Sequence, residues 1–168
     1  MIRICWIHLF LLLASQLLAQ EMIALRNSSN LQKYESLDGD KICELVDARP
    51  DLLTQADNCG GISLHENEIL LFVTSDLRLG KLLVLKIDEK KTLHFKYRLY
   101  SQTSNALYRN QILSMDDGDF LDIDKKRMLE NCDKAADFKW VVTDQATLIP
   151  QNNIGIYLLR STQNKISN

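Results

Sequence analysis

Residues 68–100 read EILLFVTSDLRLGKLLVLKIDEKKTLHFKYRLY, three apolar runs separated by two polar breaks. The second break, Asp88-Glu89-Lys90-Lys91, is short enough to be a hairpin loop. Beyond it, Leu93, Phe95, Tyr97 and Leu99 share one side of a pleat, and His94, Lys96, Arg98 and Tyr100 share the other. That alternation specifies a half-buried antiparallel strand. The runs Ile69–Thr74 and Leu82–Ile87 read as more buried strands beside it.

Working outward, Ala106–Met115, Phe120–Asp124, Trp140–Thr143 and Ile154–Leu159 are short β-prone segments bounded by turn residues. Strands in this density without helices between them predict a mainly β fold, a single antiparallel barrel or sandwich. On the N-terminal side, Asp40 is placed to cap a helix carrying Ile42, Leu45 and Val46 on one face. Pro50 ends it near Arg49 and opens a second helical turn through Leu52, Leu53 and Ala56, so residues 40–57 read as a short helical cap. Residues 20–39 read as a flexible arm, Lys125–Ala136 as room for a helical turn, and residues 161–168 as a frayed tail.

The first nineteen residues have the form of an export leader. Arg3 supplies a positive start, Ile4–Leu18 is nearly continuous apolar sequence, and Ala19 is a small residue suited to the cleavage position. The apolar run is shorter than the roughly 20 residues a spanning helix needs. A secreted or periplasmic mature chain with no transmembrane segment is therefore expected, one β-rich domain over residues 40–160. Removing Cys5 with the leader leaves Cys43, Cys59 and Cys132, an odd number. Cys43–Cys59 is the local pairing, worth about 3 kcal/mol in the chain-entropy model, but either could instead pair with Cys132.

The order of residues in the sheet region resembles that of a small secreted bacterial β module of unassigned function. The likeness is carried by Leu70–Asp76, Arg78, Gly80-Lys81, Val84-Leu85 and Ile87, then by Leu93, Phe95 and Tyr97. It continues through Phe120–Asp124, Asp137 with Trp140, and Ile149-Pro150 with Gly155. The chain departs from that module at Leu77, where the module has a turn glycine, and at Lys125-Lys126, where it has Thr-Gly. The resemblance implies export and an all-β fold, and transfers no site.

Few residues carry a chemical signature. A triad could be written from Ser63, His65 and Asp76, but no Gly-x-Ser-x-Gly elbow marks a nucleophile, and His65 reads as a surface residue. His94 reads as solvated on the polar side of its strand. No Cys-x-x-Cys or helical His pair suggests zinc. Asp116, Asp117, Asp119, Asp122 and Asp124 crowd five carboxylates into nine residues, and Asp117, Asp119, Asp122 and Asp124 are candidate calcium ligands, though the spacing is not that of an EF-hand. A solvated turn and strand explain the same run. Between Arg78 and Arg98 seven basic residues face only two acidic ones. Lys81, Lys96, Arg98 and Tyr100, with Trp140, are the candidate binding residues for a protein, a glycan or an anionic envelope surface. An exported chain with a net charge of -2 is not expected to meet nucleic acid. The expected function is an exported, non-enzymatic binding module without a cofactor. The alternative is a hydrolase or calcium-dependent site on the Asp116–Asp124 carboxylates.

Overall fold

The structure, a computed structural model, describes residues 29–48, 52–56, 60–74, 76–101, 103, 105–107, 110–129, 135–152 and 154–159. Residues 1–28, which include the expected leader, Cys59, Cys132 and residues 160–168 lie outside the described residues. Helices α1 (29–36) and α2 (Gly39–Ala48) precede eleven strands. These are β1 (Leu53–Gln55), β2 (Ile62–Ser63), β3 (Ile69–Val73), β4 (Leu79–Ile87), β5 (Leu93–Leu99) and β6 (Gln111–Met115). They continue with β7 (Phe120–Asp122), β8 (Arg127–Leu129), β9 (Phe138–Val142), β10 (Ala146–Pro150) and β11 (Gly155–Leu159).

Two antiparallel sheets result, one ordered β1-β11-β3-β4-β5-β6 and the other β2-β10-β9-β7-β8. The barrel-or-sandwich expectation thus resolves to a sandwich-like pair of sheets. The alternation in β5 holds as written: Leu93, Phe95, Tyr97 and Leu99 are buried against the second sheet. Leu70, Phe72, Leu82 and Val84 join them from the first sheet, and Leu121, Phe138, Trp140 and Leu148 from the second. Phe72 meets Phe138 edge-on across the gap, ring centroids 5.3 Å apart. Gly80 is what lets Phe72 lie flat on β4, because a Cβ there would stand 2.0 Å from the ring.

The apolar runs of β3 and β4 are continuous because both their faces are covered. Ile69, Leu71 and Leu83 point away from the second sheet and pack with Tyr34, Leu37 and Ile42 of the helical layer. Residues 29–39 are accordingly no flexible arm: Tyr34 is fully buried in a helix. The cap of α2 is Asp38, not Asp40, since Asp38 Oδ1 accepts the Lys41 N–H at 3.0 Å. The helical turn expected at Leu52–Ala56 is instead β1, recruited by pairing Leu53 with Leu159. Likewise Arg127–Leu129, where a helical turn had room, pairs with β7 as a strand.

Candidate functional site

Lys81, Lys96, Arg98 and Tyr100 do converge, on the outer face of the six-stranded sheet, and α1 sits on top of them. A helix leaves its last carbonyls without intrahelical partners. Here the sheet supplies donors: Lys81 Nζ bonds to the carbonyls of Tyr34 and Leu37, and Tyr100 Oη donates to Leu37 O at 2.9 Å. The Lys81 ammonium also lies 4.3 Å from the centroid of the Tyr34 ring. Burial, reinforced by the Arg98 charge, pushes Lys81 down to about 8. Burial raises the Tyr34 and Tyr100 hydroxyls above their ordinary range.

Beside this core of contacts, Glu35 meets Lys96 at 2.5 Å, Asn110 Nδ2 at 3.1 Å and Arg98 Nη2 at 3.8 Å. The Lys96 hydrogen bond holds the Glu35 carboxyl below its usual value. The basic, aromatic face read from the sequence as an open binding patch is therefore occupied by the chain's own helix. Trp140 is likewise no surface platform for a glycan: it is fully buried, with Nε1 donating to Lys91 O at 2.8 Å.

The acidic run divides. Asp117 Oδ1 accepts the Val142 N–H and Asp119 Oδ2 the Asp116 N–H, both at 2.8 Å, and these bonds shape the turn at Gly118. Asp122 instead pairs with Lys125 at 3.3 Å, and Asp124 with Arg78 at 3.0 Å. Among the described residues no three His, Cys, Asp or Glu side chains are placed to hold a metal together. Asp137, outside that acidic run, is buried nearby and accepts the Ile123 N–H at 2.7 Å. Burial, with the charges of Asp124 and Asp122, pushes Asp137 up to about 6.

A third arrangement was not foreseen. His94 does not stand free in solvent: Nδ1 lies 2.7 Å from Ser114 Oγ, and Nε2 lies 3.1 Å from Asp88 Oδ2. Asp88 is fixed by its own hairpin loop, Oδ1 accepting the N–H groups of Lys90 at 2.9 Å and Thr92 at 3.0 Å. The His94 hydrogen bond, ahead of these backbone bonds, holds Asp88 below the usual carboxylate range. Ser114 reaches this line because β6 pairs with β5 in the register His94 opposite Ser114 and Lys96 opposite Ile112.

That register also fixes which backbone groups of β6 are free. Tyr100 N–H donates to Leu79 O on the β4 side, whereas Leu99 O accepts the Leu107 N–H on the opposite side. In a strand these directions alternate, so Leu93, Phe95 and Tyr97 turn their backbone groups toward β6. Leu113 and its odd-numbered neighbours receive them, and Ile112 and Ser114 turn their own N–H and C=O groups outward. Among the described residues β6 is an edge strand, bonded to β5 alone. Ile112 is 68% exposed on it.

An open cleft of about 1050 Å³ lies elsewhere, between α2 and the β1–β11 side, lined by Gln55, Thr74, Gln151 and Tyr157 among others. Cys43 is exposed and unbridged, its thiol donating to Asp47 at 3.3 Å, a bond that raises the thiol above its ordinary value. No helix among the described residues is long and apolar enough to cross a membrane. Comparison of the chain with protein-family models, with curated protein sequences and with solved structures finds no match.

Proposed function

We infer that this chain is an exported binding module that takes an extended segment of a partner protein along β6. The leader-like residues 1–19 support the export part of that reading. One observation carries the docking part: of the four sheet edges among the described residues, only β6 lacks the devices that keep edges from pairing. β1, β2 and β8 are three, two and three residues long, and β8 carries Arg127 directly after Lys125-Lys126. β6 is five residues, Gln-Ile-Leu-Ser-Met, with no charge, proline or glycine. It offers the outward N–H and C=O groups of Ile112 and Ser114 for strand addition, and the exposed Ile112 side chain for an apolar cross-strand contact.

The test is a display library of extended peptides panned against the full chain. Enriched peptides are expected to be β-prone. They should lose binding to Ile112→Lys, which charges the edge, and to Ser114→Pro, which removes an outward donor while sparing the bonds to β5. Peptides that bind both variants as they bind the parent, or a library that yields none, would contradict the docking edge.

A further inference from the structure

The line Ser114–His94–Asp88 has the connectivity of a nucleophile, its base and the group that orients the base. Asp88 Oδ1 is taken up by Lys90 N–H and Thr92 N–H, which leaves Oδ2 to face His94 Nε2 at 3.1 Å. An ionised carboxylate only accepts, so Nε2 carries the hydrogen and Nδ1 carries the lone pair. That lone pair meets Ser114 Oγ at 2.7 Å. Ser114 is exposed, and its hydroxyl stands on the outer face of the sheet toward His94, within reach of solvent.

A cross-strand His–Ser bond beside a loop-capping Asp would brace the hairpin without any chemistry. Bracing alone, however, does not require a carboxylate-held imidazole to meet an exposed hydroxyl on an uncharged edge strand. We propose that Ser114, His94 and Asp88 form an acyl-transfer site at the β6 edge, acting on an ester carried by an extended chain. The extended-chain part of that substrate class rests on the docking edge inferred above.

In the step, Ser114 Oγ bonds to the ester carbonyl carbon while its proton passes to His94 Nδ1. The carbonyl π pair moves onto oxygen, where water solvates the developing charge. Collapse breaks the C–O bond to the leaving alkoxide, which takes the proton back from Nδ1. Water then repeats the sequence on the acylated Ser114, releasing the acid and restoring the hydroxyl. Ser114 and His94 are the catalytic residues; Asp88 is a positioning residue that acts through His94. Nothing described covers the site, so turnover is expected to be slow beside that of an enclosed triad.

The experiment is labelling of the full chain by a small fluorophosphonate, read by intact mass and peptide mapping. One adduct is expected, on Ser114, with none in Ser114→Ala and a rate at least about a hundredfold lower in His94→Gln. Labelling of the unmutated protein should rise with pH, because a protonated imidazole has no lone pair to take the hydroxyl's proton. Asp88→Asn should slow labelling while leaving peptide binding unchanged, whereas a merely structural Asp88 would lose both. Absence of a Ser114 adduct, or a His94→Gln rate equal to the parent's, would overturn the proposal. If His94→Gln does not fold, a pH-independent labelling rate in the unmutated protein overturns it equally. Peptide binding without labelling would remove this site and keep the docking edge. Labelling without peptide binding would keep the nucleophile and remove the extended-chain substrate.

Discussion

Lys81 and Tyr34, forty-seven positions apart in sequence, form the contact that fixes α1 to the sheet: the ammonium bonds to the Tyr34 carbonyl and lies 4.3 Å from the centre of its ring. Lys81→Met keeps most of the side-chain volume but leaves the Tyr34 carbonyl with only the Leu37 N–H at 3.3 Å and the Leu37 carbonyl with only the Tyr100 hydroxyl. A loss of about 1–3 kcal/mol in urea-unfolding stability is expected. The pH dependence has a definite sign. Because Lys81 is depressed from 10.5 to about 8 in the folded protein, the unfolded chain holds the extra proton between those values. Stability contributed by this group therefore rises with pH across that window. The stability difference between the unmutated protein and Lys81→Met should widen from pH 8 to pH 10, measured by denaturant titration at each pH.

Asp137 gives the opposite slope. Its folded value of about 6 lies above the ordinary 3.8, so the folded protein holds more protons between the two. The associated stability is fully present below the lower value and is lost as pH rises through the upper one. Asp137→Asn keeps an oxygen to accept the Ile123 N–H and removes the charge beside Asp122 and Asp124. The variant should match or exceed the parent's melting temperature at pH 7, and that advantage should shrink as pH falls toward 4.

Leu77 occupies left-handed backbone, with φ of 58°, and its side chain is 66% exposed. A left-handed conformation costs a branched residue roughly 1–2 kcal/mol, and little buried contact would be lost with the side chain. Leu77→Gly is expected to raise stability by about 1 kcal/mol, against the usual direction of a glycine substitution. Thermal unfolding of the purified variant checks it.

Gly80→Ala should do the reverse. The added Cβ falls on the Phe72 ring, which is fully buried against Phe138 and cannot move without opening the inter-sheet core. A loss of about 1–3 kcal/mol is expected, the range for overpacking in a close-packed interior. Partial recovery in Gly80→Ala/Phe72→Leu, read by the same unfolding curves, would tie the loss to that ring.

The strands legible in the sequence were those with a pattern of their own. β5 alternates because its two faces differ, and β3 runs apolar because helices cover one face and the second sheet the other. α1 has no comparable stripe: residues 29–36 are Ser-Asn-Leu-Gln-Lys-Tyr-Glu-Ser, and the donors that hold its end come from β4 and β5. β1 is three residues set by a partner more than a hundred positions away, and β10 ends on Pro150, a residue that argues against a strand. Lys81, Lys96, Arg98 and Tyr100 do lie together while Trp140 lies in the inter-sheet core, and the sequence did not show that Tyr34 and Glu35 cover the basic group. Ser114 escaped notice for a different reason. Its meeting with His94 depends on the β5–β6 register, set across a connection whose length does not announce which residue ends opposite which. Leu77 and Lys126 carry positive φ, at 58° and 55°, which neither side chain announces in the sequence.

Amide hydrogen exchange along β6, resolved residue by residue by NMR, tests the open edge most directly. Ile112 and Ser114 are expected to exchange orders of magnitude faster than Leu113, whose N–H is bonded to β5. Protection of Ile112 and Ser114 equal to that of Leu113 would mean the edge is covered, and would contradict both the docking strand and the acyl-transfer site placed on it.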